Sequence, residues 1–222
     1  IPLPLQGLKQ PIEPTTVLGW STRSKSEHFS FYQQICTEFA KLINIDVWQI
    51  APLFMEQNNV DFARREGIND LIEKVSEILK ITQQKYYQYN IEFTPFAVVK
   101  ANAGTYGMGV MMIHDVEELK NLNRKQRTNM SVRKGSQPIN HVIIQEGIPT
   151  FETVGKAEHV AEPVVYMLGQ HVVGGFYRVH QGRNLFENLN SPGMHFEKLS
   201  FAKCCNNPDK QSDVHEVQNV FY

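Results

Sequence analysis

The stretch from Phe96 to Val110 limits the folds open to this chain more than any other. Phe96-Ala97-Val98-Val99 is an unbroken apolar run, opened by Pro95 and too short for a helix. Such a run reads as a strand buried on both faces, which sets Lys100 at its end. Gly104, Gly107 and Gly109 put three glycines into the next six-residue turn. Glycine lets backbone N–H groups approach a ligand without a Cβ in the way, and a lysine beside such amides suits nucleotide phosphates. The pattern lacks the Gly-Lys-Ser/Thr of a P-loop, and Gly104-x-x-Gly107-x-Gly109 reverses the dinucleotide spacing. The same residues also suit a plain tight connection.

At 222 residues the chain can bury a sizeable core, as one domain or two lobes. A net charge of −1 gives no basic excess to attract nucleic acid. No apolar run reaches membrane-spanning length and no charged-then-apolar leader opens the sequence, so a cytoplasmic protein without a membrane partner is expected. Cys36 and the vicinal Cys204 and Cys205 form neither an even disulfide framework nor a C-x-x-C pair, which points to reduced thiols. A start at Ile1 and an apolar, helix-like end at Val217 to Tyr222 read as part of a longer protein.

Four prolines within residues 1–14 favour an extended connector. Ser24-x-x-Glu27 has capping-box spacing, and Tyr32, Ile35, Cys36, Phe39, Ala40 and Ile43 recur at helical intervals after it. Trp20, Arg23, Lys25 and His28 crowd the start of that helix, either as donors for a carboxylate or phosphate or as a solvated surface. Asp46 to Phe54 reads as a short strand and turn. A second amphipathic helix from about Asn69 carries Leu71, Ile72, Val75, Ile78 and Leu79 on one face. Val110 to Ile113 reads as a return strand, making the glycine turn a flap.

Asp115-x-x-Glu118 starts a further helix through Leu119 and Leu122, and Arg124, Lys125, Arg127, Arg133 and Lys134 follow as a surface loop or a lid over an anion. His141 to Gln145 is a buried strand leaving through Gln145-Glu146-Gly147, where an adenine edge could be recognised. Val160 to Leu168 and His171 to His180 form a hairpin around Gly169-Gln170, carrying Glu162 and Arg178. Leu185 to Asn190 reads as a last strand, with Asn188 and Asn190 on one face and Glu187 on the other. Those oxygens suit magnesium, or a turn capped by asparagines.

The strings Val99 to Gly109, Ile144 to Gly147, Ala161 to Met167, Val173 to His180 and Glu187 to Met194 closely resemble the proteobacterial glutamate–cysteine ligase family, and Trp20-x-x-Arg23-x-Lys25-x-x-His28 fits it too. The resemblance spans nearly the whole chain and implies an ATP-grasp-like α/β (α+β) fold, with two lobes of mainly antiparallel sheet and packed helices. It implies a linker and substrate-side region over 1–92, a nucleotide-binding and catalytic region over 93–222, and a missing amino-terminal domain. The implied reaction joins the glutamate γ-carboxylate to the cysteine amine with ATP and Mg2+, as the first step of glutathione synthesis. Lys100, Gly104, Tyr106, Gly107, Gly109, Gln145, Glu146 and Gly147 would hold the nucleotide. Lys100 and Arg178 would be catalytic, with Arg178 beside the transferred phosphoryl group. Glu187, Asn188 and Asn190 are the metal candidates, and Arg23, Lys25 and His28 the substrate candidates. Another carboxylate–amine ligase and a non-catalytic nucleotide-binding module are the alternatives, and a homo-oligomer is compatible with either.

Overall fold

A computed structural model describes residues 9–10, 24–104, 109–133, 137–155 and 157–199. The chain divides into two compact units, Ile1–Gly147 and Ile148–Tyr222. The sheet of the first unit takes strands from both sides of residue 92.

The first unit runs α1 (Lys25–Ile43), a 3-10 turn (Val47–Gln49), β1 (Phe54–Asn58), α2 (Ile68–Gln88), β2 (Ala97–Ala101) and β3 (Val110–Ile113). It continues with α3 (Glu117–Lys120), α4 (Arg124–Ser131), the short pair β4 (Val132–Arg133) and β5 (Gln137–Pro138), and β6 (His141–Glu146). Four strands form an antiparallel sheet in the order β1-β6-β2-β3. Cross-strand register sorts its side chains by face, because successive residues alternate. Ala97, Val99 and Ala101 point with Val142, Ile144 and Ile113 into a core closed by Leu71, Val75 and Ile78 of α2. Each of those three α2 side chains is at most 1% exposed, and burial of one such group contributes at most about 1.5–3 kcal/mol. Lys100 lies on the opposite face, in a row with Glu56, Ile143 and Val110.

Local chemistry explains the boundaries. Ser24 Oγ accepts from Glu27 N at 3.3 Å, the N-cap expected from the spacing, and Asn44 ends α1 in the left-handed region. Glu118 Oε1 accepts from His114 N and Asp115 N, but the helix it opens is one turn long. The basic stretch expected as a loop or lid is helix α4 from Arg124 to Ser131, with Met130 in the core. The strand placed between Asp46 and Phe54 is instead the 3-10 turn, and β1 starts where that range ends.

The second unit contains β7 (Thr153–Val154), β8 (His159–Leu168), β9 (His171–Val179) and β10 (His195–Lys198), antiparallel in the order β10-β9-β8-β7. Gly169, at φ +58°, allows the tight turn between β8 and β9. Residues 185–190, expected as a strand, are turns instead: Asn184 Oδ1 accepts from Phe186 N, and Asn188 Oδ1 from Asn190 N. An asparagine that bonds the backbone two residues on bends the chain out of a ladder. Both units are thus built of antiparallel sheet, and with the helices of the first the fold is of the α+β class. No helix among the described residues is long and apolar enough to cross a membrane.

Candidate active site

Lys100 leaves β2 half-buried and donates from Nζ to Gln145 Oε1 at 2.9 Å. The contact follows from register. Gln145 pairs with Val98 across the β2–β6 ladder, which sets it diagonal to Lys100 on the same face. A neutral amide positions the ammonium without cancelling its charge through that contact. Beyond it the backbone turns at Gly104, where φ is +103°, a value that side-chain-bearing residues avoid. It returns at Gly109, whose carbonyl accepts from Ala101 N at 2.7 Å. The Gly109 φ of +63° favours glycine, and a Cβ there would also crowd Ala101 Cβ at 3.1 Å and require the Ile139 Cδ1 methyl to move. Tyr106 and Gly107 lie outside the described residues. A cleft of about 280 Å3 adjoins the start of this turn, lined by Ser24, Ala101 to Ala103 and Pro138 to His141.

The substrate candidates part company here. Lys25 donates from Nζ to the carbonyls of Ala101, at 2.7 Å, and Gly104, at 3.1 Å. Its ammonium therefore braces the glycine turn. The brace is wider than one side chain. Lys25 N donates to Asn102 O and Ser26 N to Asn102 Oδ1, both at 2.8 Å, while Asn102 Nδ2 donates to Ser24 Oγ and Ser26 Oγ at 3.0 Å. His28 is exposed and stacks on Tyr32, with ring centroids 6.4 Å apart. Arg23 and Trp20 lie outside the described residues.

The Gln145-Glu146-Gly147 exit also separates. Alternation turns Glu146 to the core side, away from Gln145. Its carboxylate there accepts from Trp48 Nε1 at 2.7 Å, Leu53 N at 2.9 Å and Thr82 Oγ1 at 3.4 Å. Burial pushes its pKa above the ordinary glutamate value, and those donors pull the other way. Such an engaged carboxylate holds the 3-10 turn and α2 to the sheet. Gly147 is required for contact: a Cβ would sit 2.1 Å from the Phe96 ring.

In the second unit Arg178 of β9 stands opposite Glu162 of β8, with Nη1 2.8 Å from Glu162 Oε2. Phe196 of β10 flanks it on the same face. The Arg178 Nε–H is buried and has no hydrogen-bond partner among the described residues. An unused guanidinium donor in such a place is a costly feature unless something else accepts from it. The metal candidates do not converge as they stand. Glu187 accepts from Arg183 Nη1 and, at 3.0 Å, from Asn184 N; the latter bond first, and then Arg183, lower its pKa. Asn188 Oδ1 is used by Asn190 N. Among the described residues no three His, Cys, Asp or Glu side chains group as a metal ion would need.

The pattern of the glutamate-cysteine ligase (GshA) family matches residues 1–222. The chain belongs to the glutamate–cysteine ligase family. It is also similar to a crystal structure from Methylobacillus flagellatus KT, provisionally described as a gamma-glutamylcysteine synthetase, with 47% identity and a TM-score of 0.82. That match covers 100% of this chain and 52% of the other, so the chain spans about half the length of the relative. A search of curated proteins gives no match. Within this glutamate–cysteine ligase family chain, the residue that sequence reading missed is Asn102, 4% exposed and bonded on every side. Its signal was faint: an asparagine just past a strand, with Ser24 and Ser26 far away in sequence.

Proposed function

We propose that this chain forms the nucleotide-handling part of an ATP-dependent glutamate–cysteine ligase with an ATP-grasp-like fold, serving the first step of glutathione synthesis. The observation that carries the reading is Lys100, held by a neutral amide at the end of a core strand immediately before a turn that only glycine can make at residue 104. Lys100 Nζ and the amides of the glycine turn would bind the phosphates, with Gln145 orienting the ammonium. Arg178, aligned by Glu162 and with its Nε–H unused, would stabilise negative charge on a transferred phosphoryl group. ATP supplies the activation that a carboxylate lacks: an oxygen of the glutamate γ-carboxylate takes the γ-phosphoryl group as its bond to ADP breaks, the cysteine nitrogen attacks the acyl carbon, the C–O bond to phosphate breaks and the amine proton is released.

Magnesium fits less well. Oxygen donors are the right chemistry for it, but the Arg183 guanidinium already sits on Glu187. The small molecules glutamate, cysteine and ATP would be the partners, in a cytoplasmic setting.

The test is ATP binding by calorimetry to the wild type, Lys100→Ala and Arg178→Ala, with folding checked by circular dichroism. At least a tenfold loss of affinity, about 1.4 kcal/mol, is expected in each variant. Unchanged affinity in both would overturn the nucleotide reading. An ADP-release assay with full-length protein, comparing cysteine with other amines, tests the acceptor; equal or faster turnover with another amine would retire cysteine.

A further inference from the structure

Half the circumference of α1 is apolar, yet the wrong half of that arc is buried. At 100° per residue, Phe31, Leu42, Ile35, Phe39, Tyr32 and Ile43 follow one another around the helix, and Cys36 and Ala40 lie at the far edge of the same arc. The small residues face inward, with Cys36 at 7% and Ala40 at 2% exposed. The large ones face outward: Phe31 61%, Ile35 67%, Phe39 49% and Leu42 81% exposed. Scattered exposed apolar residues are ordinary, but a continuous stripe of aromatic and branched side chains marks a contact surface. This stripe is also presented rigidly, because the first turn of α1 is braced to β2 through Lys25, Ser26 and Asn102.

The relative says how much chain is available to cover it. The whole of this sequence maps onto about half of the Methylobacillus flagellatus protein, so nearly half of a full-length relative has no counterpart here. Glu27, Glu38 and Lys41 lie together beyond the Phe31 edge of the stripe, where acidic groups outnumber basic ones, so no cationic excess there draws it to a nucleic acid or an anionic lipid surface. We infer that the exposed face of α1 is the docking surface for the part of a full-length ligase that lies outside these 222 residues. The inference rests on family membership and on packing; loss of the ATP reading would leave it standing.

Thiol labelling tests it. Ile35→Cys and Leu42→Cys are made in the 222-residue chain, and cysteine is placed at the aligned positions of the full-length Methylobacillus protein. N-ethylmaleimide uptake is followed at each site by peptide mass spectrometry, with Lys41→Cys as the control on the polar side. Both stripe positions are expected to label at least tenfold more slowly in the full-length protein when it sediments as a monomer, while the control differs by less than threefold. Equal labelling of the stripe in the two proteins would overturn the docking surface. So would protection in the full-length protein that appears only in an oligomer. Slow labelling in the 222-residue chain would also overturn it: a dimer would name a second copy as the occupant, and a monomer would name a segment of the chain itself. Hydroxyl-radical footprinting of Phe31 and Phe39, and of the aligned positions in the unmodified full-length protein, reads the same surface without substitutions.

Discussion

Two helices of nearly equal length, α1 with 19 residues and α2 with 21, carry apolar stripes of similar strength in the sequence and end in opposite situations. The stripe of α2 is sealed: Leu71 and Val75 are 0% exposed and Ile78 1%, beneath the sheet face formed by β1, β6 and β2. α1 packs on the unit through Cys36, Ala40, the contact of Phe29 with Phe54 and a hydrogen bond from Tyr32 Oη to Ile50 O at 3.0 Å, while Phe31, Ile35, Phe39 and Leu42 are exposed. The difference separates what holds a helix in place from what its periodicity advertises. α2 is held mainly by burial, whereas α1 combines a narrow line of small buried residues with hydrogen bonds at its first turn to Asn102 and to the carbonyls of Ala101 and Gly104.

Substitutions can break that contrast. Leu71→Ala should lower unfolding stability by about 2–5 kcal/mol, the range for a fully buried leucine, measured by urea titration. A loss below about 1 kcal/mol would mean that α2 is not the sealed helix described. Asn102→Ala should follow, at about 1–3 kcal/mol, because it strands the buried Ser26 amide. Amide exchange should then quicken in the first turns of α1 and stay unchanged in the middle of α2. Uniform quickening would show that the brace serves the whole unit.

Acid reads the carboxylates on either side of Trp48. Lys85, then the Trp48 amide, holds Asp46 down to about 2 from its ordinary 3.8. Its contribution is complete above 3.8 and disappears as pH falls through about 2, so Asp46→Asn should flatten the stability curve in that window. Glu146 has the opposite sign. Burial raises its pKa, the folded state keeps the proton longer, and stability should decline as pH rises from about 4.5. In Glu146→Gln that decline should be absent; its persistence would assign it to another group. The smallest effect belongs to Leu42→Ala, expected within about 0.5 kcal/mol of wild type in the 222-residue chain. A loss near that of Leu71→Ala would erase the comparison.

Periodicity and turn chemistry made much of this architecture readable. The run before Lys100, the glycines after it, the β8–β9 hairpin and the face of α2 all follow from local rules. Residues 185–190 escaped because Asn184 and Asn188 bend the backbone onto their own side chains, and apolar Leu185 and Phe186 imitate a strand. The basic run from Arg124 was misjudged as a loop because one buried side chain, Met130, is enough to seat a short helix. At the candidate site, residue types pointed to phosphate chemistry, but pairing lay beyond them. The two carbonyl partners of Lys25 are 76 and 79 residues away, and no local spacing announces them. Glu146 and Gln145 are neighbours whose roles diverge because a strand alternates.

Those separations of 76 and 79 residues bear on how the protein comes into being. The clasp between the start of α1 and the end of β2 closes a long loop, so its entropy must be met before any of its bonds can form. During synthesis α1 is made before β2 and must wait for it before the clasp can close. Until then the apolar side of α1 lacks the anchor that orders its first turn, which leaves that interval open to non-native contacts.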